Sequence, residues 1–143
     1  MDELELMLTD TPCAQEVSFI SDALDQFNID VTGIADRKPV AVLVKRRETG
    51  QILGGITGRS SLGLLFLDLF FLRDEIRGQG LGGQMLALFE AEGRRRNCKA
   101  AVLYTISFQA PDFYKKHGWT VFGEVACDPE GTSRVFMCKN LVA

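Results

Sequence analysis

An α/β domain built on a mixed sheet is the fold class that this 143-residue sequence predicts. Three observations carry it. A hairpin signature runs into a nine-residue apolar strand, a glycine-rich turn opens an amphipathic helix, and the last third alternates as a second hairpin after a further strand.

Taken in order, Leu4 to Leu8 reads as a first strand. Thr11-Pro12 then sets an N-cap before proline, opening a helix to about Phe27 with Val17, Ile20, Leu24 and Phe27 as its buried stripe. Val40 to Lys45, a turn at Glu48-Thr49-Gly50, and Gln51 to Gly58 form the hairpin. The next strand, Leu64 to Leu72, is so apolar that both its faces should be covered, which puts it at the sheet centre. Only Asp68 interrupts it. After the glycine turn, Leu81, Met85, Leu88 and Phe89 recur at helical spacing, and Arg94-Arg95-Arg96-Asn97 suits a helix C-terminus. Ala100 to Ile106 is the following central strand. Pro111 to His117 is a short helix stopped by Gly118, and Trp119 to Cys127 with Arg134 to Asn140 closes the sheet.

Composition narrows the function. With 46% hydrophobic residues one core can form without metals or disulfides, so a single domain over 1–143 is expected. A net charge of -3, with only the short basic runs at 45–47 and 94–96, gives no nucleic-acid footprint. The four cysteines are far apart and His117 is the sole histidine, so no metal site is expected. An acidic start, Met1-Asp2-Glu3-Leu4, and the lack of a long apolar stretch argue against secretion and membrane insertion and for the cytoplasm.

The strand, turn and helix around Arg77-Gly78-Gln79-Gly80-Leu81-Gly82 make an anion site. The first N–H groups of a helix have no carbonyl partner, and glycine lets backbone approach a ligand closely, so Gly78 to Gly83 can wrap a pyrophosphate. Gly78-x-Gly80-x-x-Gly83 also satisfies the dinucleotide pattern. That reading expects the glycines directly after the first strand and an acidic residue ending the next one, whereas Arg73 to Ile76 intervene and Ala101 to Ile106 has no acid. An oxidoreductase fragment would also need a second half that is absent.

Two motifs resemble the GNAT superfamily of N-acyltransferases over roughly Ile52 to Asn140. The glycine turn is similar to the family's Q/R-x-x-G-x-G/A motif, and Phe113-Tyr114-Lys115-Lys116-His117-Gly118-Trp119 to its tyrosine, base and Gly-aromatic motif. The resemblance implies a mostly antiparallel sheet with a V-shaped splay between two parallel strands, Leu64 to Leu72 and Ala100 to Ile106. It implies acetyl-CoA as cosubstrate, with pyrophosphate on Arg77, Gly78, Gln79, Gly80, Leu81, Gly82 and Gly83. Backbone of Phe70, Phe71 and Leu72 would pair with pantetheine. Asp74 stands where the family often has proline, and Ser107 where it often has asparagine, so Ser107 is a candidate CoA contact. Homodimers are common in the family.

Direct acyl transfer to an amine needs a base, oxyanion stabilisation and a proton for the thiolate. Tyr114 is the candidate acid; the alternative is a core tyrosine bonded to backbone. Asp68 is the candidate base, because burial in an apolar strand would raise its pKa; the alternative is a carboxylate bound to backbone or arginine. Cys98 reads as buried rather than nucleophilic, His117 as a helix-end cation, and Gln109 and Tyr104 as structural. The function expected is N-acetylation, with a small-molecule amine preferred to a protein amine. A CoA-binding module without turnover is the alternative, against which stands the presence of both Asp68 and Tyr114.

Overall fold

In a computed structural model describing residues 2–142, the chain divides into two compact units, residues 1–35 and 36–143. The first holds one helix, α1 (Ala14–Thr32). Cys13 is its N-cap, its N–H donating to Glu16 Oε1 at 2.9 Å, and Gly33 ends it in the left-handed conformation by donating to Ile29 O. The helix starts two residues later and ends five later than the sequence predicted. None of its residues is buried, so Val17, Ile20, Leu24 and Phe27 are an exposed stripe. The strand expected at Leu4 to Leu8 is not there. A strand needs a ladder partner, and this unit contains none.

The second unit is a six-stranded sheet in the order β1-β2-β3-β4-β6-β5: β1 (Lys38–Lys45), β2 (Ile52–Ser61), β3 (Leu64–Leu72), β4 (Ala100–Ile106), β5 (Thr120–Cys127) and β6 (Thr132–Asn140). Helices α2 (Leu81–Arg95) and α3 (Pro111–Lys116) complete it. Every pairing is antiparallel except β3 with β4. That parallel ladder runs only from Leu64–Phe66 against Ala100–Val102, after which the strands separate into the V.

The core lies on one face of the sheet. Ile56, Leu65, Leu67, Leu103 and Met137 pack there with Met85, Leu86 and Phe89 of α2 and with Trp119. Each large apolar side chain so buried stabilises the fold by roughly 1.5–3 kcal/mol. The helix stripe differs by one position from the periodicity reading: Leu86 is buried and Leu88 exposed. A close approach requires Gly58, where a Cβ would stand 2.0 Å from Phe66 O and 2.7 Å from the Phe89 ring. β3 is central as expected, but within this unit helices cover only one of its faces, and Leu69 is 70% exposed on the other.

Candidate active site

The V between β3 and β4 opens into a cavity of about 730 Å³. Its wall includes Asp68, Phe70, Phe71, Leu72, Arg77, Gly82 and Tyr114 from the sequence-predicted set. Past Phe66 the β3 edge that faces β4 has no strand beside it, leaving backbone groups for an extended ligand. The Leu72 carbonyl already accepts a bond from Arg77 Nε at 2.8 Å. Arg77 thus folds back on the strand end, held by Asp74 at 2.6 Å and lying over the Phe71 ring.

Beyond Arg77 the chain enters α2 through two left-handed glycines, Gly78 and Gly80, both at φ 77°. Gly80 is the helix N-cap, and the first helical bond is Gln84 N–H to Gly80 O at 3.3 Å. The N–H groups of Leu81, Gly82 and Gly83 therefore point out of the helix without carbonyl partners. A Cβ on Gly78 or Gly80 would meet nothing within 4 Å, so the lip is open to an anion. Gly82 and Gly83 have a different reason to be small: the Phe113 ring stands 3.4 Å from a Cβ at the former, and His117 Cε1 3.0 Å from one at the latter. Gly78, Gln79, Gly80, Leu81 and Gly83 form this lip and do not line the cavity. The fit to a pyrophosphate rests on this cradle of free N–H groups.

Tyr114 sits on α3 with its ring against Phe70, Phe113 and Trp119, and it is 6% exposed. Burial pushes its phenol up to about 12. Among the described residues no protein group hydrogen-bonds the hydroxyl, yet no buried polar side-chain atom lacks a partner, so the hydroxyl reaches the cavity. The backbone-bonded alternative does not hold.

Asp68 is not buried. A β-bulge at Thr57/Gly58 sets Leu69 opposite Thr57 and Leu67 opposite Gly58, so Asp68 is the extra residue of β3 and joins Leu69 on the open face. About half exposed, its Oδ1 accepts from Arg59 Nη1 at 3.0 Å. The expected burial fails because Asp68 alternates with the buried Leu65 and Leu67 and so shares the face of Phe66, which no helix of this unit covers; the bulge adds Leu69 to that face. Ser107 is tied to β6: its N–H donates to Ser133 O and its Oγ accepts from Ser133 N–H, and it does not line the cavity. Cys98 is buried, which pushes its thiol up, and His117 caps the end of α3.

Sequence reasoning missed several groups. Phe113 packs edge-on to Phe70 at 5.7 Å, and Phe108 and Arg134 also line the cavity. Gln109, read from the sequence as structural, braces the end of β4, its Oε1 accepting from Thr105 Oγ1 and from Ile106 N–H at 3.1 Å each. Glu90, on α2, is the hidden anchor. Its carboxylate accepts from Trp119 Nε1 at 3.1 Å and meets Lys139 Nζ at 2.6 Å, while Lys139 also donates to His117 O at the end of α3. This network joins the glycine-turn helix to the segment carrying Tyr114. Glu90 looked like one more charge on an amphipathic helix.

Among the described residues there is no cluster of three or more His, Cys, Asp or Glu that could hold a metal, and no helix long and apolar enough to cross a membrane. Residues 38–121 match the family model for an acetyltransferase (GNAT) domain. The chain is 28% identical over 137 residues to acetyltransferase Atu2258 of Agrobacterium fabrum, covering 96% of this chain and 99% of that one. It is 29% identical to a blasticidin-S acetyltransferase of Streptomyces morookaense, covering 77% and 83%. The crystal structure of an acetyltransferase from Bacillus cereus is similar at 31% identity and a TM-score of 0.74, covering 94% and 97%.

Proposed function

The chain belongs to the GNAT acetyltransferase family, and from that premise we propose that it moves an acetyl group from acetyl-CoA directly to a primary amine of a small molecule, as one catalytic domain in the cytoplasm. The observation that carries this reading is the hydroxyl of the buried Tyr114 ring, unclaimed by any protein group among the described residues and reaching the cavity. Free N–H groups of Leu81 to Gly83 and the backbone of Gly78 and Gly80 hold the diphosphate, where the helix dipole favours negative charge. The open β3 edge at Phe70 and Phe71 pairs with the amides of the pantetheine arm.

Acetyl-CoA supplies an electrophilic thioester carbonyl. The amine nitrogen attacks that carbon, the C–S bond breaks, and the Tyr114 hydroxyl gives its proton to the departing sulfur. A phenol held near 12 stays protonated at neutral pH, so the hydroxyl carries the proton that the departing sulfur takes. Asp68, on the opposite face of the strand, takes the proton released by the amine through water, with Arg59 holding its carboxylate in place. The name of the Streptomyces relative, which specifies a small acceptor, supports a small-molecule amine over a protein.

Tyr114→Phe tests the assignment, since it keeps the ring packing and removes only the donor. Turnover should fall about 10²- to 10⁴-fold while calorimetric CoA affinity stays within twofold. A loss of less than tenfold would mean that Tyr114 positions the thioester without protonating it. Asp68→Asn should lower turnover most at neutral pH; full activity across neutral and alkaline pH would remove Asp68 as the base.

A further inference from the structure

Three charged residues line the cavity, and the protein itself neutralises two of them: Arg77 pairs with Asp74, and Asp68 with Arg59. The third, Arg134, is half-buried and has no carboxylate within ion-pair distance among the described residues of this unit. Its Nη1 meets the Cys127 sulfur at 3.6 Å, and a thiol is a weak acceptor that leaves the positive charge uncompensated. A guanidinium held in a cavity wall, partly withdrawn from water and without a counter-charge, is complementary to an anionic ligand.

Strand register fixes where that charge stands. Arg134 lies opposite Ile106 in the β4–β6 ladder and alternates with the buried Val135, so it shares the face of Asp68 and Tyr104. A second donor lies on the other side of Ile106. Gln109 Oε1 is taken by the Ile106 N–H and the Thr105 hydroxyl, which fixes the orientation of the amide. Its Nε2 therefore carries two N–H groups that donate to no acceptor among the described residues of this unit, and Gln109 lines the cavity. Around these donors the wall is apolar, formed by Leu69, Phe71, Tyr104 and Phe108. The diphosphate lip does not compete for Arg134: Gly78 to Gly83 lead into α2 beyond the end of β3, whereas Arg134 belongs to β6, on the far side of β4.

We propose that Arg134, with the Gln109 amide across Ile106 from it, receives a carboxylate carried by the acceptor, so that the amine acetylated is that of an amino acid with an apolar side chain. The planar guanidinium fork takes both carboxylate oxygens, and Tyr104 and Phe108 take the side chain. An amine without the carboxylate leaves the arginine uncompensated, and the site discriminates against it for that reason. The products are an N-acetyl amino acid and the free thiol of CoA. This acceptor class rests on the acetyltransferase reading; the carboxylate subsite does not.

Initial rates with acetyl-CoA and paired acceptors test the proposal. The pairs are phenylalanine, leucine and methionine, each against the amine left when hydrogen replaces its carboxyl group. In kcat/KM the wild type should prefer the amino acid by about 100-fold, the share that a hydrogen bond to a charged group supplies. Arg134→Met should collapse that preference to within about threefold, chiefly through a higher KM, and Arg134→Lys, which keeps the charge without the fork, should recover part of it. Circular dichroism verifies folding, and the wild-type comparison needs no variant. Calorimetry of N-acetylphenylalanine and N-acetylleucine on the CoA-bound protein reads the subsite apart from turnover. Decarboxylated amines used as well as the amino acids overturn the proposal, and so does a preference that survives Arg134→Met. A loss of CoA affinity in that variant gives the arginine to the cosubstrate and overturns it too. If nothing is acetylated, yet the N-acetyl amino acids bind and lose at least about tenfold in affinity with Arg134→Met, the transfer reading fails and the subsite stands. Neither turnover nor binding would end both.

Discussion

The two faces of the one sheet divide the work of the molecule. Leu65 and Leu69 lie four residues apart on β3 and have the same side chain, yet the first is fully buried under α2 and the second is 70% exposed. On the covered face neighbours hold the side chains: Phe89 fills the space above Gly58, Leu65 abuts Gly93, and Glu90 meets Trp119, Lys139 and Arg94. The open face carries the polar group proposed to act, Asp68, at a break in the strand. Tyr114 belongs to the covered side, and its hydroxyl reaches the cavity. Rigidity is built on one face and chemistry is met from both, at the point where β3 and β4 part.

The largest effect expected on the covered face is that of Glu90→Ala. It leaves the buried Trp119 indole N–H without an acceptor and removes the carboxylate from Lys139, whose ammonium keeps its bond to His117 O, a change that costs about 2–4 kcal/mol. Denaturant titration measures it; a loss under 1 kcal/mol would mean that the network is ornamental to stability.

The sharpest form of the comparison is a matched pair. Leu65→Ala should destabilise by about 2–5 kcal/mol through lost burial and a cavity, while Leu69→Ala should stay within about 0.5 kcal/mol. Equal values would show that both faces are covered.

Alkaline pH separates the faces again. Tyr114 is buried neutral, so between its ordinary value near 10 and the folded value of about 12 the unfolded chain releases a proton that the folded chain keeps. Stability is full below pH 10 and falls as pH rises through that window, by roughly 2–3 kcal/mol. Cys98, also raised by burial, acts in the same direction. Tyr114→Phe should remove the larger part of the decline in denaturation midpoints; an unchanged decline would place its cause elsewhere.

The smallest effect concerns the lip. Gly80→Asp forces a side chain into φ 77° and sets a carboxylate beside the free N–H groups, so CoA affinity should drop about tenfold, or ~1.4 kcal/mol. Calorimetry on the folded variant decides it, and unchanged affinity would move the diphosphate to another place.

Much of this was legible before any coordinates. β3 and β4 begin and end where the apolar runs do, because a strand in the middle of a sheet advertises itself by an unbroken hydrophobic segment. The glycine turn was legible because left-handed backbone demands glycine at Gly78 and Gly80. Tyr114 came from its motif. Asp68 was found, but its surroundings were misread, since a wholly apolar strand does not say which of its faces a helix covers, and the bulge that adds Leu69 to the open face is a matter of register between two strands. Glu90 was invisible for a related reason: its partners lie on other elements.

Local backbone preference and periodicity, properties of neighbouring residues, thus determined the elements of the sheet unit, their order and the anion-binding turn. Only the tertiary structure decided which face of β3 is covered, that Ser107 bonds to Ser133 at the β4–β6 junction, and that the Tyr114 hydroxyl is left without a protein partner among the described residues. Those outcomes depend on what arrives from distant parts of the chain, where burial and pairing are settled by packing and not by sequence spacing.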